Sequence, residues 1–209
     1  MKPYTDEEEK WNVITHGIGV VLSIIGMALM LRHALGKGEP MGIICTAIYG
    51  LSLIILYAAS TIYHIAWEKV WKDVLRKVDK LCIYLLIAGT YTPVLLLGIG
   101  GRWGWTLFSL VWAMAALGFI FQFSSWHRSE KISLALYAGM GWLAFVAVEP
   151  ILKQLQPEAI VLLLVGGLLY TGGIYFYAKE KIHFNHVIWH LFVLGGSISH
   201  FFGIYFYVL

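Results

Sequence analysis

Long apolar runs alternate along this chain with short connections that carry charge, glycine or proline. Seven runs have the roughly 17 to 25 residues that a helix needs to cross the hydrocarbon core of a bilayer. The pattern shows no internal repeat, so we expect residues 1–209 to form one all-α membrane domain, a seven-helix bundle. The predicted spans are about 15–35, 41–66, 79–99, 104–124, 131–149, 158–178 and 184–208.

The basic residues predict how the bundle is oriented. Seven crossings place the termini on opposite sides, and Lys and Arg concentrate on the cytoplasmic side of membrane proteins. Only four of the 15 Lys and Arg residues fall on the C-terminal side of the predicted spans: Arg32, Lys37, Arg102 and Lys153. The N-terminus is therefore predicted to be cytoplasmic and the C-terminus outside. The charged run 68–77 is predicted to be a loop that marks this orientation, and it also suits anionic headgroups.

Composition supports a membrane protein and excludes other classes. Hydrophobic residues make up 59% of the chain and charged residues 13%, whereas soluble domains carry about 25% charged residues. The acidic N-terminus MKPYTDEEEK has neither a basic region nor a cleavage site, so we expect the first span to be retained. There is no basic stripe of the kind that nucleic acid would need. Cys45 and Cys82 lie in apolar spans without CxxC spacing and are expected to be buried thiols.

Four ionisable residues lie in or beside the predicted spans, where such side chains are costly and usually functional. His64 ends the second span, Asp79 begins the third, and His186 and His190 begin the seventh, so all four belong to the cytoplasmic layer. Residues four apart share a helix face, which lets the histidine pair hold one ion. Three imidazoles and a carboxylate suit Zn²⁺ with one open position.

Asp79 could ligate the metal directly, or hold its water and act as a base. Ser60 shares a helix face with His64 and could bond that water or a substrate oxygen. Structural alternatives remain open. The histidine pair could hydrogen-bond to neighbouring helices. Asp79 could be stabilised by the dipole at a helix N-terminus, or pair with Lys80. Ser60 could hydrogen-bond to its own helix backbone.

Two further histidines lie in the spans. His16, with Asn12 and Glu9 on preceding turns, is either a partner of the metal ligands or an interfacial polar residue. His200 lies about 15 Å deeper than His190 by helical rise and is expected to be structural. Glycine pairs at 166–167, 172–173 and 195–196 predict close packing of the last two spans.

Several segments resemble the bacterial hemolysin III proteins of the progestin and adipoQ receptor family. They are NVITHGIG at 12–19, STIYH at 60–64, VDK at 78–80, GTYTP at 89–93 and HVIWHLFV at 186–193. The resemblance covers nearly the whole chain. It implies a seven-helix bundle in a bacterial inner membrane, with zinc near the cytoplasmic face. It also implies that His64, His186 and His190 are the ligands, with Asp79 and Ser60 beside the metal.

The wider superfamily includes alkaline ceramidases, which implies a hydrolase that cleaves a lipid-like amide or ester within the bilayer. In that hypothesis Asp79 transfers protons and Ser60 steadies the oxyanion, so both are predicted catalytic residues. The alternative is a non-enzymatic receptor, pore-forming protein or regulator of membrane lipids with structural zinc. A pore favours a polar stripe along several spans, and little of this is present outside the cytoplasmic cluster. Protein partners and the substrate itself are not indicated by the sequence.

Overall fold

The computed structural model describes residues 4–123 and 129–209. Within these ranges the chain is helical apart from short connections, and seven stretches are long and apolar enough to cross a membrane. This confirms the predicted seven-span fold. The α-helices are α1 (Asp6–Lys37), α2 (Pro40–Ile65), α3 (Lys69–Pro93), α4 (Gly101–Phe123), α5 (Glu130–Gly141), α6 (Val148–Gln154), α7 (Pro157–Ala178) and α8 (Asn185–Tyr207).

Helix α1 begins at Asp6, well before the predicted residue 15, because a capping box fixes its start. The Thr5 hydroxyl accepts a hydrogen bond from the Glu8 N–H at 3.2 Å. The Glu8 carboxylate accepts from the Thr5 N–H at 2.9 Å, so two otherwise unpaired donors are satisfied. Acidic residues fill the whole first turn, where they interact favourably with the helix dipole. The early start makes Glu9 part of the bundle.

Helix α3 also begins earlier than predicted, at Lys69 rather than about residue 79, so the predicted loop 68–77 is wrong. Val70, Val74 and Val78 recur at every fourth residue and form one apolar stripe of a charged helix. Asp79 consequently lies more than two turns inside α3. The helix dipole acts only within the first turn, so it does not explain a carboxylate at this position.

The fifth span is interrupted, although the sequence predicted one continuous helix over 131–149. It comprises α5, a 3₁₀-helix at Leu143–Ala147 and α6, so that it reaches Gln154. The Tyr91 hydroxyl donates to the Gly141 carbonyl at 2.7 Å and accepts from the Ala144 N–H at 3.0 Å. These bonds satisfy backbone groups that lipid cannot.

The third span ends at residue 99 as predicted, although its helix type changes before that point. Pro93 ends the α-helical part of α3, and a π-helical segment, Val94–Ile99, continues the third span before α4 begins at Gly101. The predicted end of the fourth span at residue 124 lies outside the described residues.

The helices pack so that the two ends of the chain meet. Helix α1 lies against α2 and α8, α2 against α3, α3 against α4, and α7 against α8. The α7–α8 contact depends on small residues, as predicted. A Cβ at Gly166 would lie 2.1 Å from His200 Cδ2, and one at Gly196 would lie 2.8 Å from Tyr170 Cε2. The starts of α1, α3, α5 and α8 and the ends of α2 and α7 form one layer, which we call the N-terminal face.

Candidate metal centre

Helix α8 presents His186 and His190 on its buried face, one turn apart. The two ring centroids are 4.5 Å apart, and both residues are buried. Asn185 anchors the start of the helix, because its side-chain amide donates to the Phe176 carbonyl at the end of α7 at 3.1 Å. The pair is thereby held at a fixed depth below the N-terminal face.

The third histidine comes from the last turn of α2. The His64 ring centroid lies 5.1 Å from those of both His186 and His190. One ring nitrogen from each of the three residues lies within 4.8 Å of the other two. The structure therefore brings together three predicted ligands that are separated by up to 126 positions in the sequence (190 − 64).

Glu9 determines which nitrogen of His64 faces the cluster. Its carboxylate lies 2.6 Å from His64 Nδ1 and also pairs with the Lys72 ammonium. An ionised carboxylate only accepts hydrogen bonds, so Nδ1 is the donor and Nε2 is the nitrogen that faces the cluster. His64 Nε2 is buried and has no hydrogen-bond partner among residues 4–123 and 129–209.

Thr15 has the equivalent effect on His190. Its hydroxyl donates to the Trp11 carbonyl at 2.8 Å, and the same oxygen lies 3.1 Å from His190 Nδ1. A threonine hydroxyl has a single proton, so towards the imidazole it acts as an acceptor. His190 Nδ1 therefore carries the proton, and Nε2 has the lone pair that a metal requires.

His186 is the least satisfied of the three. Both of its ring nitrogens are buried without a hydrogen-bond partner in the described part of the chain. The Tyr4 ring covers it from the N-terminal segment, with centroids 4.9 Å apart. Burial raises the pKa of the Tyr4 phenol, so this ring remains neutral. A buried imidazole with unpaired nitrogens is costly unless something binds it, and a cation would satisfy it.

Asp79 and Ser60 line the same cavity as His186 and His190. The Asp79 carboxylate lies near the Ser60 hydroxyl and within electrostatic reach of His64. The Ser60 hydroxyl is buried and makes no hydrogen bond of ordinary geometry to any described residue. No bond from Ser60 to its own helix backbone is present in the described residues, and the hydroxyl lies instead beside the Asp79 carboxylate.

The remaining histidines have different surroundings. His16 is buried and stacks on His190, with ring centroids 3.4 Å apart, so it is a neighbour of the cluster rather than an interfacial residue. His200 lies 2.9 Å from the Leu163 carbonyl through Nε2 and packs against Gly166, in keeping with the structural role predicted for it.

The donor set fits a divalent transition metal. Three neutral imidazoles, a nearby carboxylate and an adjoining cavity match zinc sites that have three protein ligands and one open position. Bonds from ligand histidines to a carboxylate or hydroxyl are typical of such sites, and Glu9 and Thr15 supply them here. Sequence reasoning placed Glu9 near His16 without assigning it to His64, and it missed Thr15 and Tyr4.

Fold and site together define a multi-pass membrane protein whose bundle buries a three-histidine cluster of metal-binding type. The chain belongs to the haemolysin-III related family, whose sequence model matches residues 4–201. It is 44% identical to Hemolysin-3 of Bacillus cereus over 97% of this chain and 93% of that protein. It is 43% identical to a Hemolysin-3 homolog of Bacillus subtilis (strain 168), over 98% and 96% of the two chains.

A more distant relative is the human monocyte to macrophage differentiation factor, at 31% identity over 96% of this chain and 84% of that protein. These matches confirm the resemblance noted in the sequence. With the seven apolar helices, the bacterial relatives support an integral protein of the plasma membrane.

Proposed function

We propose that this protein is a zinc-dependent hydrolase that cleaves an amide or ester bond of a membrane lipid. The observation that carries the proposal is the convergence of three buried imidazoles, one ring nitrogen from each lying within 4.8 Å of the other two. Glu9 and Thr15 engage Nδ1 of His64 and of His190, which leaves the other ring nitrogen of each free to bind an ion. A purely structural histidine cluster has no need of that arrangement.

A bound zinc ion would supply Lewis-acid polarisation of a carbonyl and activation of a water molecule. The chain's own residues supply the remaining functions. The Asp79 carboxylate takes the proton of the attacking water and returns it to the leaving group. The buried Ser60 hydroxyl donates a hydrogen bond to the oxygen that becomes negatively charged. Direct contact of Asp79 with the ion, the other arrangement that the sequence allows, would weaken it as a base.

The cavity can admit the polar linkage of a lipid. It is about 50 Å³ in volume, and the apolar side chains of Leu56, Ile83, Leu134 and Val193 line it beside the polar groups. The acyl chain would extend beyond it while the linkage meets the histidines. Water would be excluded from the apolar part, which strengthens electrostatic interactions at the reacting bond.

Metal analysis of the purified protein is the first test. We expect one zinc per chain in the wild type and loss of zinc in H64A, H186A and H190A. His183 is the matched control, because its side chain is 74% exposed on the same face, and H183A should keep the metal. Equal zinc content in H190A and the wild type would refute the site.

Turnover is tested separately with detergent-solubilised bacterial lipid extract and with N-acyl and O-acyl lipids. We expect release of fatty acid by the wild type and loss of at least 100-fold in D79N, on the scale of general acid–base catalysis. D79N is expected to keep its zinc if Asp79 acts through water. Retention of both zinc and full activity in D79N would exclude Asp79 as the base.

The name of the Bacillus cereus relative, Hemolysin-3, favours a second candidate, a membrane-permeabilising protein in which zinc is structural. Dye release from vesicles containing purified protein distinguishes the two. Leakage that persists in D79N, together with absence of fatty-acid release by the wild type, would favour permeabilisation. Fatty-acid release without leakage would favour the hydrolase.

A further inference from the structure

Two cations line the same cavity as the histidine cluster. Arg76 and Lys80 lie one turn apart on α3, and both border the cavity with Asp79 between them in sequence. The Lys80 side chain is only 12% exposed and that of Arg76 is 33% exposed. Burying an ammonium group beside a metal-binding cluster is unfavourable unless an anion compensates it.

One acidic side chain compensates both cations. Glu130, at the start of α5, accepts from Arg76 Nη2 at 2.9 Å and from Lys80 Nζ at 2.6 Å through the same oxygen, Oε1. Its other oxygen, Oε2, accepts from the Tyr177 hydroxyl at 3.1 Å. Glu130 thus pairs with two cations at once, and Asp79 is the second acidic group that acts electrostatically on both of them.

Asp79 is the only acidic residue among the cavity-lining residues of the described chain, and with Glu130 it balances the two cations. A divalent ion held by the neutral histidines would therefore give this group of side chains a net positive charge, which an anion could balance. The phenols of Tyr137 and Tyr177 border the same space, where they donate to the Lys80 carbonyl and to Glu130.

We propose that Arg76 and Lys80 form a binding site for the acidic group of an anionic lipid whose polar linkage enters the cavity while its acyl chain extends beyond it. This inference rests on the proposed function, and it names the substrate class as lipids that carry a phosphate or carboxylate near the bond to be cleaved. Glu130 occupies the two cations in the absence of the lipid. The lipid's acidic group displaces it, because Arg and Lys form charge-assisted hydrogen bonds with phosphate and carboxylate oxygens alike.

The test compares two probes with the same acyl chain, 1-palmitoyl lysophosphatidic acid and 1-palmitoyl lysophosphatidylcholine. Binding to the zinc-loaded full chain in a neutral detergent is measured by titration calorimetry, with inorganic phosphate as a third probe. We expect the acidic lipid to bind at least about tenfold more tightly than the zwitterionic one. Phosphate alone should bind weakly, because it lacks the acyl chain. Equal affinity for the two lipids would overturn the proposal, and tight binding of free phosphate would assign the site to phosphate instead of lipid.

Variants test which side chains produce the preference for the acidic lipid over the zwitterionic one. K80Q and R76Q should each reduce it by about tenfold, whereas K80R should retain it. Lys77 is the matched control, because it is an exposed lysine on the same helix outside the cavity, and K77Q should leave the preference unchanged. An equal loss in K77Q and K80Q would show that the preference reflects only the general surface charge.

E130Q is expected to change the affinity for the acidic lipid in the opposite direction from K80Q and R76Q. Removing the competing carboxylate frees both cations, so E130Q should bind the acidic lipid more tightly than the wild type. If Glu130, Arg76 and Lys80 served only to join α3 to α5, E130Q would weaken binding as K80Q does, and the proposal would fail. Zinc content and unfolding temperature are measured for every variant.

Failure of the proposed function is distinguishable from failure of this inference. A wild type that prefers the acidic lipid through Lys80 but hydrolyses no lipid would disprove the hydrolase and leave the binding site. A wild type that hydrolyses lipids with a head-group preference unchanged in K80Q would disprove the binding site and leave the hydrolase.

Discussion

Replacing Glu9 tests whether the first helix prepares the metal site. In E9Q the side chain keeps its shape and one oxygen acceptor but loses the charge that holds His64 Nδ1–H at 2.6 Å. Hydrogen bonds to charged groups contribute roughly 1.5–3 kcal/mol, and loss of a partner behind a metal ligand reduces affinity roughly 10- to 100-fold. We therefore expect zinc to bind about tenfold more weakly in E9Q and up to about 100-fold more weakly in E9A.

The assay is competition for zinc between the purified protein and a fluorescent chelator at neutral pH, together with the unfolding temperature. K72Q is the control, because it removes the Lys72–Glu9 ion pair while leaving the Glu9 contact to His64. Lys72 is 30% exposed, and pairs near the surface contribute about 1 kcal/mol or less, so zinc affinity should change less than about fivefold.

A second outcome would contradict the reasoning. If E9A bound zinc as tightly as the wild type while its unfolding temperature fell, Glu9 would be a structural ion pair between α1 and α3. In the H64A background, E9Q should add nothing further to the loss of zinc, because the contact it removes is already absent.

Three further predictions follow from contacts elsewhere in the bundle. T15V removes the hydroxyl that orients His190 and should weaken zinc binding about tenfold in the same chelator assay; unchanged affinity would reject the assigned tautomer. G166A should destabilise the protein by about 1–3 kcal/mol through overpacking against α8, whereas G139A, with no atom near its Cβ, should be neutral or stabilising in thermal unfolding. Y91F removes both bonds to the interrupted fifth span and should cost about 1–3 kcal/mol, and an unfolding temperature equal to the wild type would argue against that role.

Hydropathy was sufficient to predict the seven spans, because the bilayer imposes a length on every apolar helix. It was misleading wherever a helix continues beyond the apolar run. The charged residues 69–77 were assigned to a loop, although the valines of this segment repeat at helical spacing. Helical periodicity, rather than mean hydropathy, was the informative signal for the start of α3.

The start of α1 was also available from the sequence. Thr5 followed three residues later by Glu8 is the capping-box pattern, and it sets the first helical residue at Asp6. With that start, Glu9 and His16 fall on one face of α1. The contact between Glu9 and His64 was still beyond sequence reasoning, because it depends on how α1 packs on α2. The interruption after Gly141 was hidden for a similar reason, since it is stabilised by Tyr91 from another helix.

The histidines, by contrast, were predictable individually and as a group. Their spacing in α8 fixes a shared face, and counting crossings places His64 at the same depth. The clustering of one nitrogen from each within 4.8 Å agrees with that count. The catalytic roles of Asp79 and Ser60 and the identity of the ion stay predictions that the experiments above address.

The packing of α1 against α8 has a consequence for biosynthesis. Helix α1 carries Glu9 and Thr15 and is synthesised well before α8, which carries two of the three ligands. The ion-binding pocket is therefore complete only after α8 has inserted. An ion bound by both His64 and His190 would close a loop that spans most of the polypeptide. Closing a long loop removes more conformational entropy from the unfolded chain than closing a short one, so the stabilisation of the folded protein is larger. Metal uptake would then follow the insertion of α8 and help keep α2 and α8 together.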